Sequence, residues 1–247
     1  MSRTSQRSTY RVLAGIAIPL YRLVAKISWR GTENFPDSGG FVVAANHLTE
    51  IDPITVAYPV YKSGIMPRFL AKESLFRVPV IGRLLTHIGM VPVYRGTTRA
   101  KDSLEAAFIE LNDGGAILVY PEGTVTRDPR MWPMRAHTGA SRLSLQGQVP
   151  VVPMAHWGDQ EVLYRDPQGK RTFNLFPPKK VRVLIGEPLL PQDLMRPGKH
   201  STDQPTADDL NYATTVIMDR ITDLLAELRA EVAPADRFNP RVRKESR

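Results

Sequence analysis

Two uninterrupted apolar runs constrain this chain most, Phe41-Val42-Val43-Ala44-Ala45 and Ala116-Ile117-Leu118-Val119-Tyr120, because each stops abruptly in a compact polar turn. Apolar runs of this length bounded by turn residues read as buried strands. The first opens into Asn46-His47-Leu48-Thr49-Glu50-Ile51-Asp52, and Pro53 then sets the first turn of a helix over 53–61. The second opens into Pro121-Glu122-Gly123-Thr124. Strand-like segments at 69–71, 90–94, 149–155 and 181–185 alternate with helical spacing at 79–85 and 98–112, and Thr206 caps a long final helix. This alternation predicts an α/β fold, a mixed, largely parallel sheet flanked by helices. The segments 158–180 and 191–205, rich in Pro, Gly, Asp and Lys, read as loops.

Charge divides the chain into three parts. Residues 1–30 hold six Lys or Arg and no acid, 237–247 carry a net +4, and the body between them, 31–236, carries a net −2. Basic ends on a near-neutral body fit an anionic membrane surface and not a nucleic acid, which asks for charge on the folded domain itself. Within 10–29, Val12, Leu13, Ile16, Leu20, Leu23, Val24 and Ile27 share one helical face, opposed by Arg7, Arg11, Arg22 and Lys26. With Tyr21 and Trp29 as interfacial anchors, this predicts an N-terminal amphipathic membrane helix lying in the headgroup layer. Its longest apolar run, Val12 to Leu20, is too short to span a bilayer. It also lacks a small-x-small cleavage site, so it is not read as a secretory signal. The expected organisation is a membrane-association segment at 1–30, a catalytic domain at 31–236 and a basic, disordered tail at 237–247.

The absence of Cys excludes disulfides, thiolate metal sites and a Cys nucleophile, and the five His are too dispersed to assign a metal or a bound cofactor. What chemistry there is lies in the turns. His47 and Asp52 occupy a strand-to-helix connection, where open α/β sheets place their sites. Five residues apart across a turn, the carboxylate reaches one imidazole nitrogen, fixes the tautomer and leaves the other nitrogen to take a proton. From these two residues alone, a surface His beside a capping Asp fits equally well. A third strand, Met90 to Tyr94, ends at Arg95. If these turns share one sheet edge, a base and its orienting carboxylate meet a cation and a turn rich in backbone N–H groups. That combination suits deprotonation of a hydroxyl on a phosphorylated substrate.

Four blocks in order carry a resemblance: Asn46 to Asp52; Lys72 through Pro79 and Gly82 to the run Gly89–Arg95; Tyr120 to Thr124; and Val149-Pro150-Val151-Val152-Pro153. Across roughly 40–155 the chain resembles the glycerolipid acyltransferase family. The resemblance implies His47 as general base on an acceptor hydroxyl and Asp52 as its orienting partner. It implies direct attack on the thioester of acyl-CoA or acyl carrier protein, used as co-substrate. The acceptor phosphate falls to Arg95, Glu122, Gly123 and Thr124, with Lys72 and Arg127 as further candidates. Glu122, an anion, more naturally braces a cation or the turn. The implied activity is acylation of 1-acylglycerol-3-phosphate to phosphatidic acid in phospholipid biosynthesis, by a peripheral or monotopic protein on the cytoplasmic face of the cell membrane. The chain departs from the family pattern where Arg ordinarily follows Pro-Glu-Gly-Thr: Val125 stands there, and Arg127 comes two residues later. His137 likewise replaces a Lys ahead of Thr138-Gly139.

Other readings stay open. The acceptor could be glycerol-3-phosphate, another lysophospholipid or a glycolipid. His47, Asp52, His87 and Glu122 could serve a metal-dependent hydrolase, or the fold could be a lipid-binding module without catalysis. His87 and His156 are read as packing residues, and Ser74, Ser103 and Ser141, which lack an adjacent base, as poor nucleophiles.

Overall fold

Strand β2 (Phe41–Ala45) is central because both of its faces are apolar. The computed structural model describes residues 3–94, 100–166, 169–200 and 202–240. In chain order these form α1 (Arg3–Val24), β1 (Ala25–Arg30), β2 (Phe41–Ala45), α2 (Asp52–Lys62), β3 (Pro67–Lys72), α3 (Glu73–Phe76), α4 (Ile81–His87), β4 (Val91–Val93) and α5 (Ala100–Asn112). There follow β5 (Ala116–Val119), α6 (Gly139–Gly147), β6 (Val151–Trp157), α7 (Asp159–Val162), β7 (Leu163–Arg165), β8 (Arg171–Phe173), β9 (Lys179–Ile185) and α8 (Ala207–Arg229). Seven strands make one sheet in the order β1-β9-β6-β2-β5-β3-β4, parallel throughout except for the antiparallel β6–β9 pair.

The pleat sends alternate residues to opposite faces. Val42 and Ala44, with Ile117 and Val119, pack under α5, α6 and α8 against Leu111, Leu143, Ile217 and Ile221. Phe41, Val43 and Ala45, with Ala116 and Leu118, pack on the other side against Val56 and Val60 of α2 and against Phe35. Helices on both faces leave β2 and β5 no polar side, which is why they read as unbroken apolar runs. Helix α8 begins as expected: Thr206 accepts from the Asp209 N–H, and the Asp209 carboxylate accepts from the Thr206 N–H.

Three expectations are corrected. The N-terminal helix stops at Val24, and 25–30 form β1, paired parallel with β9; Ile27 therefore ends up in the sheet. Tyr21 and Trp29 are not interfacial anchors, since Tyr21 is 4% exposed and Trp29 packs edge-on to Tyr58 at 5.0 Å. The 158–180 segment contains α7 and the β7–β8 hairpin, and the described part of the tail is held, with Arg237 on Asp219 and Phe238 O accepting from Arg135 N. Residues 241–247 lie outside the described residues.

Among the described residues no helix is long and apolar enough to cross a membrane. Helix α1 exposes Val12, Ile16, Leu20 and Leu23 at 58–63% on successive turns of one face.

Candidate active site

Strands β5, β2 and β6 lie side by side and parallel, so the turns that follow them emerge at one edge of the sheet. His47 stands two residues past β2, and Asp52 is the first residue of α2. The Asp52 carboxylate is completely buried. Its Oδ2 accepts from His47 Nδ1 at 3.0 Å, Leu48 N at 2.5 Å and Thr49 N at 2.9 Å, while Oδ1 accepts from Thr49 Oγ1 at 2.6 Å. Burial alone would push this carboxyl up. The charge of His156 and the bond and charge of His47 outweigh burial and hold it below its ordinary value. The tight turn thus sets the carboxylate against one imidazole nitrogen, and the lone pair left for chemistry is at Nε2. The ring is also fixed from its face, stacked on Tyr120 at 4.0 Å and 12°.

The Pro121–Thr124 turn grips the same histidine from its backbone. Glu122 Oε1 accepts from His47 N at 3.2 Å and Oε2 from Met134 N at 2.9 Å, while Thr126 N donates to His47 O at 2.8 Å. Glu122 is 3% exposed, and burial pushes its carboxyl up to about 8 against the pull of the two N–H donors. Both oxygens accept from backbone N–H groups, so Glu122 braces the turn. The N–H of Gly123 closes the turn on Tyr120 O at 2.9 Å.

His47 lines an apolar cavity of about 910 Å³ walled by α1, α2 and β3, among them Ala17, Ala57, Tyr61 and Phe69. Lys72, exposed at the end of β3 and in register with Val93, lines it too. A polar cavity of about 1360 Å³ adjoins, lined by Glu122, Thr124, Arg127, Arg135 and residues of α8. The two share Gly123, His137 and Thr138 as lining residues. The structure therefore brings His47, Gly123 and Lys72 to one cavity, with Asp52 buried behind His47, and Thr124 and Arg127 to its neighbour. Arg95 lies outside the described residues. His87 sits at the end of α4 with Nε2 2.8 Å from Thr9 Oγ1 and does not join the cluster. Among the described residues, the group with metal-ligand proximity is Asp52, His156 and Asp159.

The chain has counterparts among known proteins. The family model described as Acyltransferase matches residues 26–157. The chain belongs to the acyltransferase family. The 1-acyl-sn-glycerol-3-phosphate acyltransferase of Bacillus subtilis is 30% identical over 195 residues, covering 78% of this chain and 84% of that one. The chloroplastic 1-acyl-sn-glycerol-3-phosphate acyltransferase BAT2 of Brassica napus is 29% identical over 72% of this chain. The chain spans about half the length of its chloroplast relatives, 48% and 47% in Brassica napus and Arabidopsis thaliana. The crystal structure of the 1-acyl-sn-glycerophosphate acyltransferase PlsC from Thermotoga maritima shares the fold, with a TM-score of 0.66 over 95% of this chain and 86% of that one at 22% identity.

Beside His47 and Asp52 stand His156, read from the sequence as a packing residue, and Asp159, which the linear pattern did not single out. His156, at the end of β6, and Asp159, which opens α7, are both completely buried. Tyr21 of α1 and Thr55 of α2 donate to Asp159 Oδ1 at 2.8 and 2.6 Å. A signal was present: His156-Trp157-Gly158-Asp159 is a second His–Asp pair at a strand-to-helix turn, on the strand paired with β2.

Proposed function

We propose that this acyltransferase transfers a fatty acyl group from a thioester, acyl-CoA or acyl carrier protein, to the free hydroxyl of 1-acylglycerol-3-phosphate, giving phosphatidic acid. The observation that carries the reading is the position of His47, held through Nδ1 by Asp52 on the wall of an apolar cavity that abuts a polar one. Nε2 takes the proton of the acceptor hydroxyl as its oxygen bonds to the thioester carbonyl carbon. The tetrahedral intermediate then collapses, the C–S bond breaks and the imidazolium returns the proton to the departing sulfur. Asp52 stabilises the imidazolium while it lasts, the role a carboxylate plays in a hydrolytic triad. No acyl-enzyme forms, which accords with a chain without Cys.

The apolar cavity suits an acyl chain, and the polar cavity suits the charged part of a substrate, with Arg127 and Thr124 on its wall. The exposed apolar face of α1 suits the headgroup layer of an anionic bilayer, from which both lipid substrates would come. The test is thiol release from acyl-CoA and acyl carrier protein against a panel of acceptors, with His47→Ala alongside. Release with 1-acylglycerol-3-phosphate that is lost in His47→Ala, with an unchanged circular dichroism spectrum, is the expected result. Full activity in the variant refutes the base assignment, and preference for another acceptor refutes the substrate.

A further inference from the structure

The acyl transfer just proposed makes no use of the second His–Asp pair. We propose that His156 is a positioning residue, an imidazolium wedged between Asp159 and Asp52 that keeps the Asp52 carboxylate ionised and aimed at His47. The inference rests on the reading of His47 and Asp52 as base and orienting carboxylate.

Hydrogen-bond bookkeeping supports the charge. His156 Nδ1 lies 2.7 Å from Asp159 Oδ2, and Nε2 lies 2.8 Å from Asn46 O and 3.5 Å from Asp52 Oδ2. A neutral imidazole has one N–H and one lone pair. The carbonyl of Asn46 only accepts, so Nε2 carries a proton. Asp159 Oδ1 accepts from the Tyr21 and Thr55 hydroxyls, which favours its ionised form, and opposite an ionised Asp159 Nδ1 carries a proton as well. Burial pushes this imidazole down, but the charges of Asp52 and Asp159 prevail and raise it to about 9.

The position of the ring is fixed as firmly as its charge. The Asn46 side chain donates to His156 O at 3.1 Å and accepts from His156 N at 2.9 Å, tying the end of β6 to the end of β2. The charged and titratable groups around the ring come from five places: His47 beyond β2, Asp52 in α2, Tyr21 in α1, Tyr120 and Glu122 beyond β5, and Asp159 in α7.

The electrostatic logic follows from crowding. Facing atoms of Asp52, His156 and Asp159 lie within 4.8 Å of one another, all in a site without solvent exposure. Two buried carboxylates so close do not both stay ionised alone; one takes a proton. A cation between them removes that pressure. The cluster then carries one net negative charge at rest and becomes neutral when His47 takes the substrate proton. His47 thus gains its charge in a site that is one positive charge short of balance, and not two. Asp52, His156 and Asp159 are also the group with metal-ligand proximity, so a bound divalent cation is the rival occupant of the same electrostatic role.

The full chain, with 15N-labelled histidine in detergent micelles, provides the test. One imidazole should be doubly protonated at pH 7.5, titrate near pH 9 and vanish from the spectrum in His156→Gln. In Asp159→Asn that titration should move to lower pH by at least tenfold in proton affinity, which keeps the test open if His156→Gln does not fold. In His156→Gln the acid limb of the kcat/KM profile should move to higher pH, because Asp52 holds a proton longer or His47 binds one more tightly. Both KM values should be unchanged. A neutral His156 at pH 7.5, or a co-purifying divalent metal with loss of one ring N–H, overturns the proposal. So does an equal loss of kcat at every pH, which is the mark of a packing role. If the wild type releases no thiol, the proposed function fails, and the imidazole spectrum still decides the charge on His156.

Discussion

Narrowing the apolar cavity half-way along α2 should convert this acyltransferase to shorter chains. Pro53, which follows Asp52, and Tyr61, eight residues on, both line the cavity, about 12 Å apart along the helix axis. There Tyr61 meets Tyr10 of α1, ring centroids 5.4 Å apart. Ala57 lies about 7–8 Å from Asp52 and lines the same wall. Ala57→Phe places a phenyl ring across the passage and denies a long chain the space beyond it. Excluding four methylenes at ~0.8 kcal/mol each removes ~3.2 kcal/mol of binding, roughly 200-fold in kcat/KM. Donors short enough to stop before Ala57 should keep their kcat/KM within about threefold. The assay is thiol release over a series of acyl donors of increasing length, with a thermal melt to measure the ~1–3 kcal/mol of overpacking the ring could add. An equal fall for every chain length would show that the cavity does not hold the acyl chain.

Four further outcomes are expected. Ile16→Glu with Leu20→Glu, both on the exposed face of α1, should weaken binding to anionic vesicles at least tenfold in a sedimentation assay and leave the melting temperature within about 2 °C. Arg127→Ala should raise the KM for 1-acylglycerol-3-phosphate about tenfold and leave that of the donor unchanged, since a bond to a charged group is worth ~1.5–3 kcal/mol. Stability should fall as pH rises from 6.5 to 9. The folded state holds the His156 proton to about 9 where the unfolded chain releases it near 6.5, a contribution of about 3 kcal/mol that is complete below 6.5 and lost through 9. Glu122, holding its proton to about 8, acts in the same direction, and a flat or rising melting temperature over this range would contradict both assignments. Tyr21→Phe should cost about 1–2 kcal/mol in chemical denaturation by removing one donor from the buried Asp159.

The core of the sheet was legible because burial on both faces leaves a mark in every residue. Phe41–Ala45 and Ala116–Val119 admit no polar side chain, and the turns after them could be read as neighbours once the strands were read as parallel. The edge of the sheet was less legible. Ala25–Arg30 alternates buried and exposed positions, and Ile27 continues the helical spacing of the preceding segment, so the period of the helix hid the start of β1. The hairpin β7–β8 consists of two three-residue strands in a Pro- and Gly-rich stretch, below the length at which alternation is a signal. For the site, His47 and Asp52 are close in sequence and their contact follows from one turn. The contact of Asp52 with His156 spans about a hundred residues and exists only through the β2–β6 register, Ala45 opposite Met154, that sets the two strand ends together. Tyr21 was misread for a related reason: its amphipathic position fits an interface, but the partner that buries it is Asp159, remote in the chain.

Helix α1 has two sides with different company. Leu13, Ala14, Ala17 and Ile18 line the apolar cavity, while Val12, Ile16, Leu20 and Leu23 look outward. A single helix, about 10–12 Å across with its side chains, thus separates that outward face from the space beside His47. With lipid against that face, a substrate tail could pass around the helix without crossing water, and the concentration that governs turnover would be a mole fraction in two dimensions. Diluting the acceptor with inert lipid would slow the reaction, whereas diluting the vesicles in buffer would not. Each turn of α1 then answers to two solvents at once, which narrows the substitutions it can accept more than either face would alone.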